Sequence, residues 1–159
     1  MRRRKKIIEV TRTICIKKDS ATVFNYFSDL RNDKEWRSEI NETKVLNPDP
    51  SIHTIAHEDS YLSKKVPNYV AKLICLAYVP NRRIVYQTMP ENRYFLRSIR
   101  EVDNLSDLET RITYSLKFDK AIVKHGIGIN LPRFLVNYVT NSSMKKYLKK
   151  LKTVLEAEK

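Results

Sequence analysis

Three histidines are available to this chain, and two of them fall in one short polar stretch, His53-Thr-Ile-Ala-His-Glu-Asp59, with Glu58 and Asp59 beside them. Imidazoles and carboxylates so crowded could hold a metal or move a proton. On an extended strand His53 and His57 share a face but stand about 13 Å apart, too far to ligate one ion. His57 and Asp59 are about 6.6 Å apart by the same rise, so a metal would need further ligands. No metal is expected. His57 with Asp59 remains open as an acid–base pair or as a solvent-facing pair. His125 stands alone in a loop ahead of the last helix. Cys15 and Cys75 each sit in an apolar run and read as buried, reduced thiols. The setting Leu73-Ile-Cys-Leu-Ala-Tyr-Val79 would raise a thiol pKa, which argues against a nucleophile. Arg97 lies between Phe95 and Ile99 on one strand face; if that face is inward, it needs a carboxylate partner or an acidic ligand group. No catalytic constellation is sharp, no catalytic residue is assigned, and no cofactor is expected.

Composition narrows the classes further. At 159 residues the chain reads as one domain able to bury about two-thirds of its unfolded surface. Only Gly126 and Gly128 are glycines, which argues against a glycine-rich phosphate cradle. The longest apolar run is far below a membrane span, and the basic start Met1-Arg-Arg-Arg-Lys-Lys6 lacks the apolar stretch of a signal peptide. A cytoplasmic location is expected. The formal net charge of +13 would attract anionic partners, an acidic membrane surface among them, through the arm 1–6 and the lysine-rich tail; it is equally a plain solubility device. Nucleic acid is not expected, because aromatics do not interleave the basic clusters and Asp33, Glu35 and Glu39 would repel phosphate.

The elements follow from periodicity. Ile7–Ile16 alternates as a half-buried strand, and Asp19 caps a helix carrying Val23, Phe24 and Phe27. A second short helix over 31–39 carries Trp36, the only tryptophan. Strands are expected at 42–47, 53–63, Tyr69–Val79, 83–89, 94–102 and 107–118, separated by Pro, Asn and Asp turn chemistry. A closing helix begins near Leu131-Pro132 and runs to Lys159. Met144, Leu148, Leu151 and Leu155 form its stripe, while Phe134, Leu135, Tyr138 and Val139 lie on another side. Either that helix kinks at 140–143, or different material covers its first half.

Taken in order, Val10-Thr-Arg-Thr-Ile-Cys-Ile16, Asp19-Ser-Ala-Thr-Val-Phe-Asn-Tyr-Phe-Ser-Asp29, Trp36, Arg82-Arg-Ile-Val-Tyr86, Thr110-Arg-Ile-Thr-Tyr114 and Met144-Lys-Lys-Tyr-Leu-Lys-Lys-Leu-Lys152 resemble the START-like (SRPBCC) superfamily. The nearest branch is the polyketide cyclase/dehydrase and lipid-transport group. The resemblance spans nearly the whole chain. It departs where the family's glycines are replaced, by His53 before the third strand and by the stretch 103–109 in the last hairpin.

The resemblance implies an α+β helix-grip fold over 7–159: a seven-stranded antiparallel sheet curved around a long C-terminal helix, with two short helices after strand 1. It also implies a small hydrophobic ligand, such as a lipid, polyketide or isoprenoid-like compound, in a cavity between sheet and helix. The stretch 124–138 would then be the lid. The alternative is a cyclase, aromatase or dehydratase, with His57, Asp59 and Arg97 as its titratable groups. Tyrosine suits a cavity wall, offering an apolar body and one hydroxyl. The expected ligand-binding set is Trp36, Tyr69, Tyr78, Tyr86, Phe95, Arg97, Tyr114, Phe134 and Tyr138. Oligomeric state is left open.

Overall fold

The computed structural model describes residues 5–157, so most of the basic arm 1–6 lies outside the described residues. Strand β1 (Ile7–Ile16) leads into α1 (Ser20–Phe27) and a 3-10 helix (Leu30–Glu35). Then come β2 (Ile40–Val45), β3 (Ile55–Ser60), β4 (Tyr69–Val79), β5 (Arg83–Thr88), β6 (Leu96–Ser106) and β7 (Glu109–Asp119), followed by α2 (Ala121–Ile127) and α3 (Arg133–Ala157). The strands make one antiparallel sheet in the order β1-β7-β6-β5-β4-β3-β2. Every neighbour is a hairpin partner except β1, which closes onto β7 along its full length, from Ile7 opposite Asp119 to Ile16 opposite Thr110.

The sheet curls because its inward residues share one core with the last helix. Ile8, Leu73, Ile84 and Ile112, from four different strands, join Met144, Leu148, Leu151 and Leu155 of α3 in a single buried cluster. Each such side chain withdrawn from water contributes roughly 1.5–3 kcal/mol, which holds α3 against the sheet. Local chemistry starts the short helices. Asp19 accepts a 2.9 Å hydrogen bond from the Thr22 amide, and Asp29 caps the 3-10 helix by accepting from the Arg31 amide at 3.0 Å. The second helix is thus shorter and tighter than the sequence predicts, ending where Trp36 turns into the core.

Two other expectations change. Helix α3 is continuous for 25 residues, about 38 Å, and runs unbroken through 140–143. On its first turns Val136 is buried, but Phe134 and Tyr138 are left uncovered by the other described residues, 74% and 72% exposed. The stretch before it, predicted as loop, holds the short helix α2, which ends at Gly128 in the left-handed conformation (φ +78°). His53 adopts the left-handed backbone that glycine favours, at φ +69°, and its amide donates to the Cys75 carbonyl at 2.8 Å.

Candidate functional site

Between the sheet and α3 lies a cavity of about 250 Å³. Its walls follow strand parity. On β7, Tyr114, Leu116 and Phe118 face it in succession, a run of about 13 Å. On β3 the inward residues Glu58 and Ser60 continue to Leu62 beyond the strand end. On α3 the run is Val139, Thr140, Ser143, Met144 and Tyr147. One end is therefore apolar, where Leu62, Phe118, Ile122 and Val139 meet. The other is polar, where Arg37, Glu39, Glu58 and Tyr114 meet.

The polar end is an ion-pair cluster. Arg37 donates to Asp33 at 3.0 Å, to Glu58 at 3.2 Å, and to Glu39 at 3.0 Å from Nε and 2.8 Å from Nη2. Arg100, 1% exposed, reaches both oxygens of Asp33, the Phe27 carbonyl at 2.7 Å and the Ser98 hydroxyl at 3.2 Å. Its guanidinium lies over the rings of Phe27, Trp36 and Tyr114, at 5.4, 5.3 and 5.4 Å from their centroids. Burial pushes the Tyr114 phenol up, against the opposing pull of Arg37 and Arg100. Tyr147, also raised by burial, stands beside Glu39 and Ser38.

Burial likewise holds the Glu58 carboxyl above the ordinary carboxylate value of 4.5, against the attraction of Arg37. A carboxyl raised on folding contributes stability while it is protonated. That contribution is complete below the unfolded value and is lost as pH rises through the folded value. Glu58→Gln does not ionise there, so its stability relative to wild type should rise with pH when urea midpoints are compared from about pH 4 to about pH 8. A difference constant across that window would contradict the assignment.

Of the residues singled out in sequence, Tyr69 and Tyr114 line the cavity. Trp36 is buried behind it, tilted against Phe27 and edge-on to Tyr114 as housing for Arg100. Tyr86 is buried outside the cavity wall, and Tyr78 packs on Phe24. Arg97 faces the outer side, donating to Gln87 at 2.7 Å and lying over Phe95, which Lys5 also approaches. The inward arginine of β6 is Arg100. Phe134 and Tyr138 border an outer groove with Arg12 and Lys145 rather than the cavity.

His57 and Asp59 are also on the outer face, where Asp59 accepts from Asn41 and Asn68, both at 3.1 Å. They do not converge with Arg97 inside, which removes that version of an active site. His125 belongs to α2 and packs its ring on Tyr69 and Tyr94 at the cavity rim. Among the described residues no group of three or more His, Cys, Asp or Glu is placed to hold a metal ion. Both cysteines are free thiols, and burial raises that of Cys75.

The sequence matches no protein-family model and no curated protein. Solved structures do resemble it. A START superfamily protein from Mycobacterium smegmatis is 15% identical over 95% of this chain and 99% of its own, with a TM-score of 0.73. The Zhui aromatase/cyclase from Streptomyces sp. R1128 is 13% identical over 95% of this chain and 94% of its own, at 0.69. A protein of Thermus thermophilus is 15% identical over 94% and 98%, also at 0.69. These likenesses run along nearly the whole chain, and with its curved seven-stranded antiparallel sheet and long C-terminal helix the chain has the START-like helix-grip fold.

Proposed function

We propose that the unit 7–159 binds a small hydrophobic ligand, of lipid, polyketide or isoprenoid-like kind, in the cavity between sheet and α3. The carrying observation is the cavity itself. Its volume of about 250 Å³ is walled mainly by Leu62, Leu96, Leu116, Phe118, Ile122 and Met144, with polar groups gathered at one end. Tyr69 and Tyr114 are the proposed ligand contacts from the predicted set. The test is native mass spectrometry of the purified protein together with uptake of a fluorescent lipid. Absence of any bound apolar compound and of uptake would defeat the reading.

A second reading, a cyclase, aromatase or dehydratase on a polyketide-like substrate, is favoured by the convergence of Arg37, Glu58 and Tyr114 in one cavity wall. Turnover of such a substrate that Glu58→Gln abolishes would establish it.

A carrier must collect its cargo, and the outer start of α3 suits an anionic membrane surface. Ile129, Phe134 and Tyr138 are exposed at 62%, 74% and 72%, with Arg12 and Lys145 flanking the two aromatics. No helix among the described residues is long and apolar enough to cross a membrane, so the contact would be peripheral. The protein should co-sediment with vesicles containing acidic phospholipid, less well as salt is raised. Phe134→Asp with Tyr138→Asp should weaken that binding about tenfold or more. Equal binding to uncharged vesicles, or an unaffected double variant, would remove this surface. A cytoplasmic site of action belongs to the same proposal, in keeping with the two free thiols.

A further inference from the structure

The polar end of the cavity holds two arginines but has no positive charge to spare. Arg37 commits its donors to Asp33, Glu39 and Glu58; Arg100 commits its own to Asp33, Ser98 and the Phe27 carbonyl. With Glu58 ionised, two guanidiniums face three carboxylates. With Glu58 protonated, two face two. Neither state attracts an anion.

Two atoms of this wall stand without a hydrogen bond, although the Tyr147 phenol stands beside Glu39. Glu39 Oε2 and the Tyr114 hydroxyl are both shielded from solvent, both belong to cavity-lining residues, and neither has a hydrogen-bond partner among the described residues. A carboxylate oxygen only accepts, and leaving it without a donor in a buried site is costly. The phenol both donates and accepts. A ligand hydroxyl supplies what each is missing, giving its proton to Glu39 and receiving that of Tyr114. A ligand carboxylate has no proton to give and sets its charge against Glu39.

We propose that the cavity selects an amphiphile whose polar end is an uncharged hydroxyl seated against Glu39 and Tyr114, and that it discriminates against carboxylate-headed compounds in spite of the chain's net charge of +13. This deepens the binding reading above and rests on it. The apolar body of the ligand then points toward Leu62, Phe118 and Ile122, the end closed by α2.

Displacement of Nile red, an uncharged apolar dye, tests both levels. A medium-chain alkanol and the carboxylic acid of the same chain length compete for the dye at about pH 8, where the free acid is ionised. A hydrogen bond to a charged group is worth enough that the alkanol should displace the dye at about a tenfold lower concentration, or better. The two compounds also differ in water solubility, and variants remove that ambiguity. Glu39→Gln keeps the shape, removes the charge and adds an N–H donor, so the preference should shrink severalfold, chiefly through improved acid binding. Tyr114→Phe, with only the hydroxyl deleted, should shrink it through weaker alkanol binding, and it covers the case in which Glu39→Gln fails to fold. Acid binding as tight as alkanol binding, or a preference unchanged in the folded variants, overturns the hydroxyl selection while leaving the cavity a binding site. Failure of Nile red itself to enter overturns the binding reading, and this inference with it.

Discussion

Asp33→Ala should lower stability by about 3–5 kcal/mol, a large part of the roughly 5–15 kcal/mol that holds a domain folded. Asp33 is wholly buried and accepts from both Arg37 and Arg100. Its loss strands two guanidiniums away from water with one anchoring carboxylate gone. The surface pair Arg31–Asp29 is the contrast: Arg31 is 46% exposed on its side chain, and Arg31→Ala should shift stability by no more than about 1 kcal/mol. Urea unfolding followed by far-ultraviolet circular dichroism compares the two directly. Equal small shifts would mean that the cluster does not hold the cavity floor. The asymmetry has a functional corollary. A buried ion cluster is costly to break, yet apolar packing of the same volume would often serve stability as well. Its position at the cavity wall fits a rigid, preorganised polar end for a ligand.

The parts of this architecture carried by clean alternation were legible in sequence. Ile112, Tyr114, Leu116 and Phe118 against Arg111, Thr113, Ser115 and Lys117 give β7 its register without ambiguity, and β1 and the Asp19 cap are equally local. The polar end of the site was not legible, because polar residues occupy inward positions there. On β6 the inward set is Leu96, Ser98, Arg100 and Val102, while the outward set holds Phe95 and Ile99 around Arg97. Hydrophobicity therefore favours the wrong face, and one residue of slip flips every side chain. The same slip on β3 drew attention to His57 and Asp59 and away from Glu58.

A signal was nonetheless present. Arg100 lies opposite Tyr114 across the β6–β7 hairpin, so counting back from its turn transfers the secure parity of β7 to its neighbour. The contribution of Asp33 had no such route. It depends on a 3-10 helix folding under the sheet, a tertiary fact. The exposed Phe134 and Tyr138 misled in the opposite sense: an apolar residue on a helix is read as buried unless something says where the sheet stops.

Ala71→Phe should abolish uptake of the hydrophobic ligand while leaving the protein as stable as wild type, or more so. Ala71 is 4% exposed on β4 and its methyl faces the cavity between Glu58 of β3, its register partner, and the strands beyond. A benzyl group there occupies much of a space of only about 250 Å³ that a ligand would otherwise fill. Adding bulk to a packed core normally costs about 1–3 kcal/mol, because side chains must leave their preferred rotamers. Adding it to a cavity restores dispersion contacts that the lining residues lack, so the expected sign on stability reverses. Val70→Phe is the matched control. Val70 is the next residue but points to the outer face, 59% exposed, where the same ring meets solvent and the cavity is unchanged. Fluorescent-lipid titration and urea unfolding of the two variants separate occupancy from folding. Uptake lost in Ala71→Phe and kept in Val70→Phe places the ligand between sheet and α3. Equal uptake by both would place it on the outer groove beside Phe134 and Tyr138, and the cavity would then be packing space with no guest.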